Sequence, residues 1–246
     1  MLQKPVRRSR WASAVSMLIM GAAAVTAAAQ AKPDLSGVWE VTMGVRTRPG
    51  PGTAEMPALT PEYAQKLADF KAAQAKGEEE ESPQANCVPP GMPGIMNQPY
   101  PMELLFTPGK VTIVIEAYSQ TRRIFMDGRK HPDDPDLTYN GHSIGHWEGD
   151  TLVVDSIGFT PDTALGPSQG YRHSDRMHIV ERLRLTAPDT LEVVTTVDDA
   201  KALTKALSST KVLKRHRDWD IAEYICEQNN RNLATDKGKA GILLNH

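Results

Sequence analysis

The chain has 246 residues, with 28 Lys+Arg against 30 Asp+Glu and two cysteines. This balance turns more acidic once the basic N-terminal segment is set aside, which argues against nucleic acid and anionic membrane as partners. Aromatic residues make up only 6%, few for a sugar-stacking surface, and no phosphate loop, dinucleotide fingerprint or nucleic-acid module is present.

Residues 1–31 read as a secretory signal. Lys4, Arg7, Arg8 and Arg10 precede an alanine-rich run from about Ala12 to Ala29, and Ala29-Gln30-Ala31 offers the small residues a signal peptidase reads. Cleavage after Ala31 leaves 215 residues carrying 24 basic against 30 acidic groups, net −6. The run is built of Ala, Ser and Gly rather than Leu and Ile, so no stable membrane insertion is expected after signal removal. A periplasmic or secreted location follows, with 32–246 as a single β-rich domain. Two cysteines in an oxidising compartment favour a Cys87–Cys226 disulfide, closing a loop of well over a hundred residues. The chain-entropy model gives such a bridge roughly 4 to 5 kcal/mol.

Leu35 to Val41 alternates small and bulky residues and predicts a first strand, and Arg46 to Pro57 is loop. Thr60 as N-cap and Pro61 at the first helical position open a helix to about Lys76, with Tyr63, Leu67 and Phe70 at helical spacing. Cys87 through Pro101 is too rich in proline for regular structure. Strands are then expected over Met102–Thr107, Lys110–Ser119 and Gln120–Met126, the last running into the turn dipeptide Asp127-Gly128. A proline-broken loop, His131 to Asp136, leads to a hairpin of His142–Glu148 and Thr151–Ile157. Met177–Leu185, Thr190–Val197, Lys211–Arg217 and Ile221–Glu227 complete a series of roughly nine strands after the first. The fold class is mainly β: a single antiparallel up-and-down barrel or a sandwich, with one inserted helix.

Gly37-x-Trp39 on the first strand and a late Arg215 or Arg217 resemble the lipocalin-like superfamily, in which a tryptophan at the barrel floor packs against a late-strand arginine. The resemblance implies a barrel. A second likeness rests on Trp147-Glu-Gly-Asp-Thr-Leu-Val-Val-Asp155 and Met126-Asp-Gly-Arg129 followed by His131-Pro132. Over Cys87 to Asn229 the chain resembles exported bacterial proteins of unassigned activity, which implies export and a β-rich fold.

Four groups of residues could carry chemistry. His142 and His146, four positions apart on a strand, lie about 13 Å apart and cannot share an ion unless Gly145 bulges; no metal and no cofactor is expected. Asp155 interrupts an apolar strand face shared with Val153 and Ile157, where a carboxylate needs a partner. His173 and Asp175, with His178 nearby, form the minimal acid/base unit of a histidine oriented by a carboxylate. Glu116 and Glu181 interrupt apolar strands, with Arg122 and Arg123 as candidate partners.

The expected function is an exported, cofactor-independent enzyme acting by acid–base chemistry on a small, largely apolar substrate, as a lyase, isomerase or hydrolase. His173 and His178 are the candidate bases or acids and Asp155 and Asp175 their orienters. Tyr139, His142, Arg123, Glu116 and Glu181 are the candidate substrate-binding groups. The alternative is a non-enzymatic periplasmic lipocalin-like binding protein. In either case the partner is a small molecule, and the sequence carries no reading of oligomeric state.

Overall fold

The structure is a computed structural model describing residues 31–42, 56–76, 80–81, 84–165, 170–229 and 241–242. All but the last residue of the expected signal segment lies outside the described residues, as does most of the Arg46 to Pro57 loop. In chain order the elements are β1 (Gly37–Val41), α1 (Pro61–Ala75), β2 (Glu80–Glu81), β3 (Met102–Thr107), β4 (Lys110–Ile115) and β5 (Gln120–Phe125). They continue with β6 (His142–Glu148), β7 (Thr151–Ile157), β8 (His178–Ala187), β9 (Thr190–Asp198), β10 (Leu207–His216), α2 (Cys226–Asn229) and β11 (Gly241–Ile242).

Nine strands close into a barrel in the order β1-β10-β9-β8-β7-β6-β5-β4-β3, with β1 pairing back onto β3. This settles barrel over sandwich, but it corrects the expectation of a wholly antiparallel sheet. Strand directions that alternate around a ring must come in an even number, so nine strands force one parallel seam. That seam is β5 against β6, with only Ile124 opposite Ser143 and Phe125 opposite Ile144. Its cause lies in the chain between them. Asp127-Gly128 does not turn a hairpin; it opens a proline-broken crossover that carries the chain back, so β6 starts at the same end as β5.

Side chains alternate between the barrel interior and its outer wall. The interior holds Trp39, Met102, Leu104, Ile113, Ile115, Ile124, Leu152, Val154, Ile179, Leu191 and Leu213, all buried. Trp39 donates its indole N–H to the Leu35 carbonyl at 3.0 Å, and the Arg215 guanidinium lies 4.5 Å from the centre of its ring. This is the tryptophan–arginine contact that the Gly-x-Trp resemblance implies. Gly145 faces the seam from β6, where a Cβ would stand 2.6 Å from Met126 Sδ and 2.8 Å from Ile124 Cγ2.

Three local expectations change. The last expected strand, Ile221 to Glu227, is coil as far as Ile225 and then enters α2, so the Cys87–Cys226 link, spanning 139 residues of sequence, ties a turn residue to the first residue of α2. The expected strand over Lys110–Ser119 stops at Ile115, and Tyr118 and Ser119 turn with left-handed φ values of 56° and 48°. Thr60 sits at the N-cap of α1, yet its hydroxyl donates to the Lys201 carbonyl at 2.8 Å instead of capping the helix. Among the described residues no helix is long and apolar enough to cross a membrane.

Candidate functional site: a histidine relay on the outer barrel wall

Adjacent strands β6, β7 and β8 present His142, Asp155 and His178 on the outer wall. The β6–β7 register is unbroken from His142 opposite Ile157 to Glu148 opposite Thr151. Gly145 therefore makes no bulge, and His142 and His146 stay apart. His146 lies 3.2 Å from Glu148 at the surface. The crossover loop lowers a fourth residue onto this wall. His131 places Nε2 3.0 Å from Asp155 Oδ1 and Nδ1 2.9 Å from His142 Nδ1, and His178 Nε2 reaches the same Asp155 oxygen at 2.9 Å.

With Asp155 ionised and the rings neutral, these distances set the proton positions. A carboxylate only accepts, so both His131 and His178 must carry hydrogen on Nε2. Neutral His131 then has a bare Nδ1, which accepts the Nδ1–H of His142. The remaining nitrogen of His142, Nε2, is left as a lone-pair base with no partner among the described residues. Burial is the main cause holding the His142 ring below the ordinary histidine pKa, helped by the nearby His131 and Arg129. The neutral, proton-accepting form is thereby favoured near neutral pH.

A stack on the neighbouring strand orients this ring. Phe125 lies against His142 with centroids 5.3 Å apart and an interplanar angle of 27°. On Phe125 in turn lies the Arg129 guanidinium, 3.8 Å from the ring centre. Asp127 grips Arg129 through bonds of 2.6 to 3.0 Å. Gly141, at φ +64°, sets the entry to β6; a Cβ there would stand 2.6 Å from both the Ile157 carbonyl and the Phe159 ring.

His142 also lines a cleft of about 560 Å³ between β5 and the crossover. Arg123, Phe125, Tyr139 and Asn140 contribute to its walls, as do Asp134 and Asp136. Three of the expected substrate-binding residues, Tyr139, His142 and Arg123, thus share one cleft beside the Asp155–His178 pair.

The other expected site residues are elsewhere. His173 is buried 2.7 Å from the Thr163 hydroxyl and 2.9 Å from the Ser174 carbonyl, so Asp175 does not orient it. Asp175 binds the Lys201 ammonium at 2.6 Å, which lowers its pKa. Glu181 points into the barrel, where Arg122 Nη2 stands 2.6 Å from its carboxylate. Arg122 also reaches Ser143 at 3.3 Å and Ser156 at 3.0 Å. Glu116 accepts the Ala222 N–H at 3.0 Å. His173, His178, Asp155 and Glu181 therefore do not converge on one cavity.

His131 is the member that strand reasoning missed. It sits on a loop without periodicity, and no strand pattern in the sequence marks it. Among the described residues no group of three or more histidine, cysteine or acidic side chains is arranged to hold a metal ion.

The site thus defines a class, a closed mixed β-barrel with an aspartate–histidine–histidine line on its outer wall. No protein-family model matches the chain, and no curated protein matches it in sequence.

Proposed function

We propose that the protein is an exported, cofactor-independent enzyme of lipocalin-like barrel shape that transfers protons on a substrate held in the β5–β6 cleft, as a lyase, isomerase or hydrolase. The observation that carries this reading is the unbroken line from Asp155 through His131 to His142 on the cleft wall.

In this reading His142 Nε2 removes a proton from the substrate. Its Nδ1 proton then passes to His131 Nδ1. The positive charge comes to rest on His131 against Asp155, and His142 returns to neutrality with its new proton on Nε2. The reverse transfer delivers that proton to product or to water. A positioned base of this kind contributes about 10² to 10⁴ in rate. Tyr139 and Arg123 bind a substrate oxygen, and His178 steadies Asp155 from the other side. The cleft walls set Arg123, Asp134, Asp136 and Asn140 among Phe125, Pro132, Pro135 and Tyr139, which suits a substrate with both polar and apolar parts.

The carrier alternative, an apolar ligand inside the barrel, is disfavoured by the charged Arg122 and Glu181 at the interior positions of β5 and β8. Two general probes test the enzyme reading: 5-nitrobenzisoxazole for proton abstraction and p-nitrophenyl acetate for hydrolysis. Turnover of either by the wild type should fall about 10² or more in His142→Gln and His131→Gln. Equal rates in all three proteins would end the proposal.

A further inference from the structure

The parallel seam exposes strand backbone inside the cleft. On one side β5 pairs with β4 along its whole length, Gln120 to Phe125. On the other it meets β6 only from Ile124 onward, so among the described residues Gln120 to Arg123 have no strand neighbour there. Backbone direction on this stretch follows from two bonds. Met126 N–H donates to the Gly109 carbonyl at 2.8 Å, on the β4 side. The Thr121 carbonyl accepts from Asn140 Nδ2 at 3.5 Å, on the cleft side. Amides alternate along a strand, so even-numbered residues of β5 face β4, and Thr121 and Arg123 turn both N–H and C=O toward the cleft.

Among the described residues the Thr121 and Arg123 amides have no hydrogen-bond partner, and two donors two residues apart stand about 6.6 Å from one another. That is the repeat of successive carbonyls along one edge of an extended chain, and a sugar ring or a compact anion has no such repeat. Asn140 already covers the Thr121 end of this edge, so an added strand would take over its bond to the Thr121 carbonyl. Asn140 Nδ2 also donates to Gln120 Oε1 at 3.1 Å, while its Oδ1 is buried without a hydrogen-bond partner. The cleft's charged walls, Arg123 against Asp134 and Asp136, sum to one negative charge and disfavour an acidic occupant.

We infer that the cleft receives a neutral or basic peptide segment in extended form, which adds a short strand to the open edge of β5 at Thr121 and Arg123 and presents its backbone to His142. This rests on the cleft being the working site, and it makes the substrate class peptidic. Main-chain bonds to Thr121 and Arg123 would supply affinity, and Asp134 and Asp136 would favour Lys or Arg side chains.

The probe is a degenerate library of capped hexapeptides with neutral and basic side chains, added to the full exported chain. Amide exchange is read residue by residue. Binding should slow exchange at Thr121 and Arg123 about tenfold, and leave Arg122 and Ile124 unchanged because they already bond to β4. The same library with alternate backbone amides N-methylated should lose this protection, a control that leaves the protein unaltered. Absence of protection at millimolar library, or protection confined to residues outside the cleft, overturns the inference. A displaced segment of the chain's own, seen as unchanged protection in the free protein, would overturn it too. The two proposals fail separately. Protection with no His142-dependent chemistry keeps the peptide site and removes the enzyme, whereas His142-dependent turnover of the small probes without protection does the reverse.

Discussion

His131 Nδ1 and His142 Nδ1 stand 2.9 Å apart, and a contact of that length between two ring nitrogens holds one proton. Each ring therefore limits the other: protonating both at once would put two cations in contact. Removing His131 should raise the His142 pKa part of the way toward the ordinary 6.5, because the competing ring is gone while burial, the main cause of the lowering, remains. Arg129→Gln should move it the same way by less. Ring nitrogen shifts followed between pH 4 and 8 give the answer, and an unmoved His142 midpoint in His131→Gln would show that the rings do not share the proton.

His173 governs acid sensitivity instead. Burial is the main cause that lowers its pKa, against smaller upward pulls from the Ser174 carbonyl and Asp199. The unfolded chain takes up this proton near pH 6.5, while the folded ring resists it until the pH is lower. Stability present at neutral pH is therefore lost as pH falls from about 6.5 toward the folded value. Urea midpoints measured from pH 7.5 down to 5 should decline. His173→Gln, which keeps a donor and an acceptor but does not titrate, should begin lower by about 1 to 3 kcal/mol and decline less steeply.

The strand series was legible because each strand repeats with period two and ends in a turn residue: Pro108-Gly109 and Gly149 stand at observed hairpins. Closure was not, since no local pattern says which strand pairs with which. Trp39 with Arg215 was readable only through resemblance. Asp155 betrayed itself as a carboxylate on an apolar face, and His142 and Tyr139 fell into the site with it. His131 left no periodic trace, and Asp175 misled because adjacency to His173 in sequence does not survive a loop that turns its side chain toward Lys201. Ile221 to Glu227 has strand-like composition, yet Tyr224 packs on Tyr100 and Tyr118 with centroids 5.3 and 5.6 Å away. Those ring contacts hold this segment as coil.

Arg122 and Glu181 make a buried ion pair whose members depend on each other. Their contact is 2.6 Å with both side chains almost wholly enclosed. Arg122→Met removes the direct partner of the Glu181 carboxylate, leaving it only the field of the Lys211 ammonium, and should cost about 3 kcal/mol. Glu181→Leu leaves the matching cation and should cost a similar amount. The double variant, with an apolar pair in the same space, should lose far less than the sum. A double-mutant cycle by urea unfolding measures the coupling, and additive losses would mean the two side chains act independently.

Cys87 and Cys226 meet at S–S 2.10 Å, 139 residues apart in sequence. A link across so long a loop restricts the unfolded chain strongly, by about 5 kcal/mol in the chain-entropy model. Cys87 lies in a turn and Cys226 opens the single turn of α2, which pairs with no barrel strand, so few backbone hydrogen bonds to the barrel would hold Cys226 in place once the link is cut. The Ser119 hydroxyl donating to the Tyr224 carbonyl at 2.9 Å and the Glu116–Ala222 bond would remain. The Cys87→Ala/Cys226→Ala double variant should accordingly unfold at lower urea. Its hydrogen-exchange protection should drop first around Tyr224, while the barrel strands keep theirs. Peptide mapping without reductant should recover the two cysteines as one linked species. Recovery of both as free, alkylated thiols would show that the bridge is not formed.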